Sequence, residues 1–394
     1  MPPVLPVPIN PTVLEWARKE SGYAVDRVAG RLQVKPERVE AWERGERPPT
    51  MRQVQELARF FHRPLNVFFL PSPPQLPPLA AEYRRLPGVT PGQESPELRL
   101  AVRQMSNRRE TALSLMEELA EPITAFALQA HLNENPEAVG GRLRATLGIA
   151  VEAQLEWRDE WQAWREWRAA VEQLGVLVFQ FPKVELTDAL GLSLLRFPLP
   201  VVGMNSKAQP ELKCYTLLHE VIHLMLAAGN EEASALLEKR NGEEWEKVER
   251  FAESAASYVL VPETALRATT TSRSQDWDIP AVRRLARRFR ITPLAMATRL
   301  RASGYMDWPQ YRAWKAKWSD YVKTLPPRAG GFAHPVDIAL NRNGRPYVQL
   351  VLQALAANRI TSVDASRHLA LKFEHFDKLK ESLRGGPGGG AADE

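Results

Sequence analysis

The order of apolar and polar positions predicts a chain that is helical over most of its length. Within the first seventy residues, apolar side chains recur at helical spacing in four short segments, which glycine, serine or proline separates from one another. We predict helices at residues 13–20, 25–32, 36–44 and 51–61. This arrangement indicates a small helical domain in which the second and third helices form a helix-turn-helix pair.

The pattern changes twice further along the chain. A long helical region follows residue 92, and four tryptophans recur in it at helical spacing, which indicates a packed core: Trp157, Trp161, Trp164 and Trp167. Residues 175–181 and 199–205 are short apolar runs rich in β-branched and aromatic side chains, so they predict two strands of a small sheet. Further helices are expected at residues 215–228, 244–260, 279–289, 293–303, 348–357, 363–369 and 373–383. The predicted fold class is α+β, predominantly α-helical.

Proline and glycine divide this pattern into domains. The proline-rich run around residues 70–78 cannot continue a helix and favours an extended, semi-rigid linker. We therefore predict a helix-turn-helix domain at residues 1–70, a linker at 71–91 and a larger domain at 92–325. A C-terminal helical segment at 326–384 and a disordered tail at 385–394 complete the prediction.

Composition narrows the class of protein. No apolar run approaches the roughly 18 to 20 residues that a membrane span needs, and the first ten residues have no signal-peptide character, so we expect a cytoplasmic protein that does not bind a membrane. The single cysteine, Cys214, excludes an intrachain disulfide and every zinc site built from several thiolates. Lys and Arg number 52 against 47 Asp and Glu, and this net charge of +5 permits contact with nucleic acid without requiring it.

One pentapeptide carries metal chemistry. In the segment His-Glu-Val-Ile-His, His219 and His223 are four residues apart and therefore lie on one face of a helix, where both imidazoles can bind one ion. Glu220 follows the first histidine and is placed to act as the base for a metal-bound water. The neighbouring side chains are almost all apolar, so two buried histidines would need a partner, and a metal supplies one.

A catalytic metal site of this kind needs a third protein ligand. No third histidine follows at a suitable spacing, so a carboxylate from a later helix is expected, and both Glu249 and Glu253 are available on the predicted helix at 244–260. The segment Glu-x-x-Ala-Glu that these two residues delimit resembles a motif of gluzincin peptidases. That resemblance assigns Glu249 to the metal and Glu253 to a hydrogen bond with a ligand imidazole, although the two roles could be exchanged.

The first domain resembles XRE/Cro-type DNA-binding domains. The likeness lies in the string from Trp42 to Thr50, which is similar to the signature that follows the recognition helix of that family. Its predicted core consists of Val28, Ala29, Leu32, Val34, Val39 and Trp42. The candidate DNA contacts are Lys35, Arg38, Arg44 and Arg47. Residues 1–70 carry only three more basic than acidic side chains, and Glu37 and Glu40 lie where carboxylates repel phosphate, so docking of a protein is the alternative.

The chain as a whole resembles the ImmA/IrrE metallopeptidases that carry an N-terminal XRE-type helix-turn-helix. The likeness rests on four segments: residues 42–50, 63–70 with the following prolines, 201–205 leading to 215–220, and 249–262. The resemblance implies a gluzincin-like zinc endopeptidase that holds one Zn²⁺, with Mn²⁺ or another divalent ion as the alternative. It also implies that the substrate is a regulatory protein, often a helix-turn-helix repressor, whose cleavage switches on stress-response or mobile-element genes.

Several questions stay open at this stage. Tyr215, Tyr258, Arg299 and His334 are all available to stabilise the oxyanion, and the strand at 199–205 is a candidate edge for an extended substrate. A second copy of the chain is a further candidate partner, as a homodimer. The alternative function is that of an XRE-type transcriptional regulator or antitoxin-like protein whose peptidase fold only senses or dimerises. The arginines of the segment 283–290 form either a docking element or, more often in such sequences, a solvated helix face.

Overall fold

A computed structural model of the chain describes residues 7–75, 94–229, 243–270, 277–324 and 333–384. These residues form two compact units, one containing the described residues up to Gln104 and the other those from Met105 onwards. The structure is predominantly helical with one small sheet, as predicted. The predicted tail at 385–394 and most of the predicted linker at 71–91 lie outside the described residues.

The first unit is a bundle of short helices. Their bounds are α1 Pro11–Glu20, α2 Val25–Leu32, α3 Pro36–Glu43, α4 Met51–Phe60, a 3-10 helix Leu65–Phe69, and the beginning of α5 Pro96–Leu119. Between α2 and α3, Gln33 adopts a left-handed conformation with φ of 56°, which turns the chain sharply. At the start of α4, Thr50 and Gln53 cap the helix reciprocally and so satisfy two backbone donors.

The predicted core of this unit is confirmed, except that two of its residues are only partly buried. Val28, Ala29, Val39 and Trp42 are buried, whereas Leu32 and Val34 are half-buried at its margin. Further buried side chains come from the other helices: Val13, Leu14, Val54, Leu57, Phe61 and Phe68. The helix-turn-helix pair is therefore a packed element of a small domain.

The second unit consists of helices around a three-stranded sheet. Its elements before the sheet are α6 Pro136–Leu147, α7 Val151–Glu156 and α8 Glu160–Gln173. After the sheet come α9 Pro210–Gly229, α10 Glu243–Leu260, α11 Glu263–Thr269, α12 Ile279–Arg288, α13 Pro293–Ala302 and α14 Trp308–Lys323. The last helices are α15 Pro335–Asn343, α16 Arg345–Ala356, α17 Ser362–Leu369, a 3-10 helix Phe373–His375, and α18 Phe376–Arg384.

The sheet corrects one expectation about substrate binding. Strands β1 (Leu177–Phe181) and β2 (Gly191–Leu194) lie on either side of β3 (Val201–Asn205), with β1 parallel and β2 antiparallel to it. Because β3 is hydrogen-bonded on both sides, an extended substrate cannot add to it. The strand at 199–205 is therefore the centre of the sheet and not its edge.

Most of the tryptophan stripe is core, as predicted. Trp157, Trp164 and Trp167 are buried in α8 and just before it, whereas Trp161 is 49% exposed. The four residues do not share one face of a single helix, because Trp157 precedes the start of α8 at Glu160. Its ring packs edge-on against Trp167 at 5.7 Å between centroids.

Close packing of helices fixes the position of α10. Gly140 lies where α6 meets α10, and a Cβ atom on it would come within 2.7 Å of the Ala255 carbonyl oxygen and 2.8 Å of the Tyr258 Cβ. Only glycine permits that approach. On its other side, α10 contacts α9, which also packs on α8 and on β2 and β3. Helices α9 and α10 are thus held side by side in the interior of the second unit.

Among the described residues, no helix has the length and apolar character that crossing a membrane requires.

Candidate metal centre

Helix α9 carries two histidines into the interior. The helix is apolar over almost its whole circumference and its residues from Thr216 to Ala227 are all buried. His219 is 6% exposed and His223 is fully buried. Their Nε2 atoms lie 3.1 Å apart and their ring centroids 4.8 Å apart, as the spacing of four residues predicts. Both imidazoles therefore address the same small volume.

Helix α10 adds a carboxylate to that volume. Glu249 is 9% exposed, its Oε2 lies 3.4 Å from Nε2 of His219, and its Oε1 lies 3.7 Å from Nε2 of His223. One ligand atom from each of the three residues lies within 4.8 Å of the others. In the described part of the chain, this is the one group of three or more such side chains with metal-ligand spacing.

The three side chains fit a tetrahedral metal ion. With metal–ligand bonds of about 2.0–2.1 Å, the ligand atoms of a tetrahedron are separated by roughly 3.3–3.4 Å. The two Nε2 atoms lie 3.1 Å apart, and the carboxylate of Glu249 approaches them to 3.4 Å through Oε2 and to 3.7 Å through Oε1, which is close to that value. The donor set of two imidazoles and one carboxylate, with no thiolate, is that of a catalytic zinc site, which leaves a fourth position for water.

Aromatic rings pack on both imidazoles. The ring of Tyr215, one turn before His219 on α9, stacks on that imidazole with 6.1 Å between centroids and an interplanar angle of 28°. Trp245, one turn before Glu249 on α10, stacks on His223 at 5.9 Å and 17°. These contacts limit rotation of the imidazoles. Our sequence reasoning missed Trp245, although its position four residues before Glu249 was a usable signal.

Glu220 is buried beside the ligands. It has no measurable solvent exposure, and it is rotated by about 100° around α9 from His219. A buried carboxylate beside a candidate metal site is a candidate for acid–base chemistry.

The two carboxylates proposed for the third ligand differ in their surroundings. Glu249 is buried against both histidines, whereas Glu253 is exposed and makes no hydrogen bond or ion pair with a described residue. The expected hydrogen bond between Glu253 and a ligand imidazole is therefore wrong. The two glutamates lie about one turn apart on α10 and differ by only about 40° around its axis. That small offset separates a buried position from an exposed one.

Three of the four candidate oxyanion donors make their contacts elsewhere. Arg299 is fully buried and bonds to the Val261 carbonyl at 2.7 Å, and its guanidinium lies 4.0 Å from the ring centroid of Tyr258. Tyr258 is nine residues beyond Glu249, about 13.5 Å along α10. His334 caps the start of α15 and packs on His375. Tyr215 is the candidate that contacts a predicted ligand.

Two further ionisable groups lie near the start of α9. Burial raises the pKa of the Cys214 thiol, so this cysteine is an unreactive apolar side chain. Burial also lowers the pKa of Lys213 to about 8. Its ammonium donates to Gln180 Oε1 and to the Ser206 carbonyl, both at 3.1 Å, and therefore ties α9 to the sheet and to the loop that follows it.

The predicted DNA contacts are accessible but partly neutralised. Lys35, Arg44 and Arg47 are exposed and Arg38 is half-buried, all on or beside α3. Arg44 is bonded to Glu46 at 2.6 Å and lies 3.5 Å from Glu40, and the bond to Glu46 raises the pKa of Arg44. The acidic side chains of this region thus compete with phosphate for the same guanidinium.

Two segments of the chain match models of known families. Residues 171–301 match the model of the IrrE N-terminal-like domain of peptidase family M78, and residues 14–68 match the model of the helix-turn-helix. The first match contains His219, Glu220, His223 and Glu249, and the second contains α2 and α3. A comparison with curated proteins found no match.

Proposed function

We propose that this chain, which joins an IrrE N-terminal-like domain of peptidase family M78 to a helix-turn-helix domain, is a zinc metalloendopeptidase that cleaves a regulatory protein. The observation that carries the proposal is the buried convergence of His219, His223 and Glu249. Burying three ionisable side chains is unfavourable, and these three lie at distances that suit one divalent ion.

The residues of the chain divide the chemistry among them. His219, His223 and Glu249 would hold the ion, and each imidazole would present Nε2 to it with the proton on Nδ1. When bound, the ion supplies a Lewis acid that polarises water and the peptide carbonyl. Glu220 would take the proton from the attacking water and deliver it to the departing amine, so it would act first as general base and then as general acid.

Tyr215 is our choice for the donor to the oxyanion. It is half-buried, lies on the same face of α9 as both ligand histidines, and packs on His219. A phenolic O–H donates a hydrogen bond without changing its charge, so it can stabilise the tetrahedral oxyanion at neutral pH. The same contact orients the imidazole, so Tyr215 would serve both positioning and transition-state stabilisation.

The second domain on this chain suggests the class of substrate for the peptidase domain. A helix-turn-helix domain on the same chain favours a regulatory substrate, and we propose a helix-turn-helix repressor in the cytoplasm whose removal activates stress-response or mobile-element genes. The first domain would bring the enzyme to its partner or to DNA through Lys35, Arg38, Arg44 and Arg47.

One experiment tests the catalytic proposal. The purified full-length chain is analysed for bound metal by mass spectrometry, then incubated with a panel of purified helix-turn-helix repressors from the same genome, with and without a chelator. We expect zinc, cleavage of at least one repressor, and loss of cleavage with the chelator. Glu220→Gln should keep the metal and lower the cleavage rate by roughly 10²- to 10⁴-fold.

The same experiment contains the result that would overturn the proposal. Unchanged cleavage by Glu220→Gln would remove this carboxylate from the mechanism. A metal-loaded protein that cleaves none of the repressors would favour the alternative, a transcriptional regulator in which the peptidase fold senses or dimerises.

A further inference from the structure

Helix α12 exposes three arginines that have no acidic partner among the residues the structure describes. Arg284, Arg287 and Arg288 follow one another at spacings of three and four residues and are all exposed. None of them makes a hydrogen bond or an ion pair with any residue that the structure describes. Three other exposed arginines of this unit have carboxylate partners and provide a comparison: Arg158 with Asp159, Arg267 with Glu263, and Arg367 with Asp364.

The helix gains little from this arrangement. Arg284 and Arg288 are four residues apart, as are Arg283 and Arg287, and like charges at that spacing destabilise a helix by about 0.2–0.5 kcal/mol per pair. The helix dipole favours cations in the last turn, which accounts for Arg287 and Arg288 but not for Arg284. The stability of the helix therefore does not explain all three.

A fixed platform supports these arginines. Arg283, on the neighbouring side of α12, donates a hydrogen bond to the Tyr321 hydroxyl of α14, and its guanidinium lies 5.1 Å from that ring centroid. Tyr321 ends a stack of three rings, with 5.6 Å between its centroid and that of Trp318 and 5.5 Å between Trp318 and Trp314. This contact holds α14 against α12. It therefore limits the conformational entropy that the surface would lose when a partner binds.

Helix α14 extends the positive charge. Lys317 lies one turn before Tyr321 on α14, so it borders α12, and it is exposed without an ion pair to a described residue. We call Arg284, Arg287, Arg288 and Lys317 the basic face. Within α12 and α14 together, basic side chains outnumber acidic ones by eight to one, the acidic residue being Asp320. A ligand for such a surface must be anionic along a length of about two helical turns.

We propose that the basic face binds the phosphate backbone of duplex DNA, as a second contact in addition to the helix-turn-helix domain. Three of its four cations are arginines, whose planar fork donates two parallel hydrogen bonds to a phosphate. In the first domain Arg44 is paired with Glu46, and the carboxylates of Glu37 and Glu40 on α3 repel phosphate. Phosphate contacts from the second unit would supply affinity that the first domain lacks.

The proposal is independent of the peptidase activity and has its own readout. Binding of the full-length chain to a 30-base-pair duplex of arbitrary sequence is measured at several salt concentrations. We expect log K to fall linearly with log salt, with a slope of about −0.9 for each phosphate contact. The triple variant Arg284→Gln, Arg287→Gln, Arg288→Gln should reduce the magnitude of that slope by about 2.7, and affinity at low salt should fall at least tenfold.

A matched control separates contact from net charge. The variant Arg158→Gln, Arg267→Gln, Arg367→Gln removes the same three charges from exposed positions that already have carboxylate partners, and its slope should change by less than one. Melting temperatures of both variants should stay close to that of the unaltered chain, because all six side chains are exposed.

Three results would overturn the proposal: equal slopes for the two triple variants, no binding of the unaltered chain to the duplex, or loss of binding to poly-glutamate but not to DNA in the basic-face variant. The last result would assign the face to an acidic protein segment. Because none of these readouts involves proteolysis, failure here leaves the metallopeptidase proposal unaffected.

Discussion

The metal centre and the helix-turn-helix differ in the burial of their charged side chains. At the metal centre, His219, His223 and Glu249 are buried, and one bound cation would satisfy all three. Beside α3, Arg44 lies in solvent and its charge is already balanced by Glu46. A buried charge without compensation costs much free energy, whereas an exposed charge costs little because water solvates it. The geometry of the metal centre therefore indicates its chemistry more directly than the geometry around α3 does.

The largest effect is expected at the third ligand. Glu249→Gln removes the one negative ligand, so zinc affinity should fall on the order of 10³-fold. Glu253→Gln should leave it unchanged, because that side chain is exposed and has no hydrogen bond to another described residue. Competition for zinc with a chromophoric chelator measures both. Equal losses in the two variants would reopen the choice between these glutamates.

The next effect concerns Tyr215. Loss of one oxyanion donor typically costs 10²-fold or more in rate, so Tyr215→Phe should lower kcat for the identified repressor by about 100-fold with little change in KM. The ring still stacks on His219 in this variant, so zinc content should be unchanged. Tyr258→Phe is the control, and an effect of similar size there would contradict our choice of donor.

A smaller effect is expected where α6 meets α10. In Gly140→Ala the added methyl group collides with the backbone of α10, so the free energy of unfolding should fall by about 1–3 kcal/mol. Gly141→Ala meets no atom within 4 Å and should raise it by roughly 0.5–1 kcal/mol through helix propensity. Denaturant titration compares the two, and a loss in both would show that the contact with α10 is not the cause.

The smallest effect is expected at the helix-turn-helix. The double variant Glu40→Gln, Glu46→Gln frees Arg44 and removes two repulsive charges, so DNA affinity at low salt should rise about three- to tenfold. Glu374→Gln with Glu381→Gln makes the same charge change in the C-terminal helices and serves as the control. An unchanged affinity in the first variant would indicate that Arg44 does not contact phosphate.

Sequence patterns predicted several helices of both units closely, for a physical reason, whereas α11, α14 and α15 were not predicted. A helix is specified locally by its apolar period and its caps, and the predicted ranges around α2, α10 and α13 differ from the observed ones by two residues or fewer. Helix α9 begins five residues earlier than predicted, at Pro210, because polar residues in its first turn hide the period.

Long-range pairing was less accessible from sequence. Strand β2 was not predicted, because four residues that include Gly191 and Ser193 have weak strand propensity. Without it, β3 was wrongly given an edge position. The convergence of His219 and His223 follows from helix geometry alone, whereas the choice between Glu249 and Glu253 needed the rotation of α10 about its axis, which tertiary packing sets.

We propose that two imidazoles and a glutamate hold one zinc ion. X-ray absorption at the zinc edge of the full-length chain, loaded with one equivalent of zinc, tests it most directly. We expect a four-coordinate ion with two imidazole nitrogens at about 2.0–2.1 Å, oxygen in the remaining positions and no sulfur. A zinc ion that stays fully hydrated, or one with a sulfur neighbour from Cys214, would contradict it.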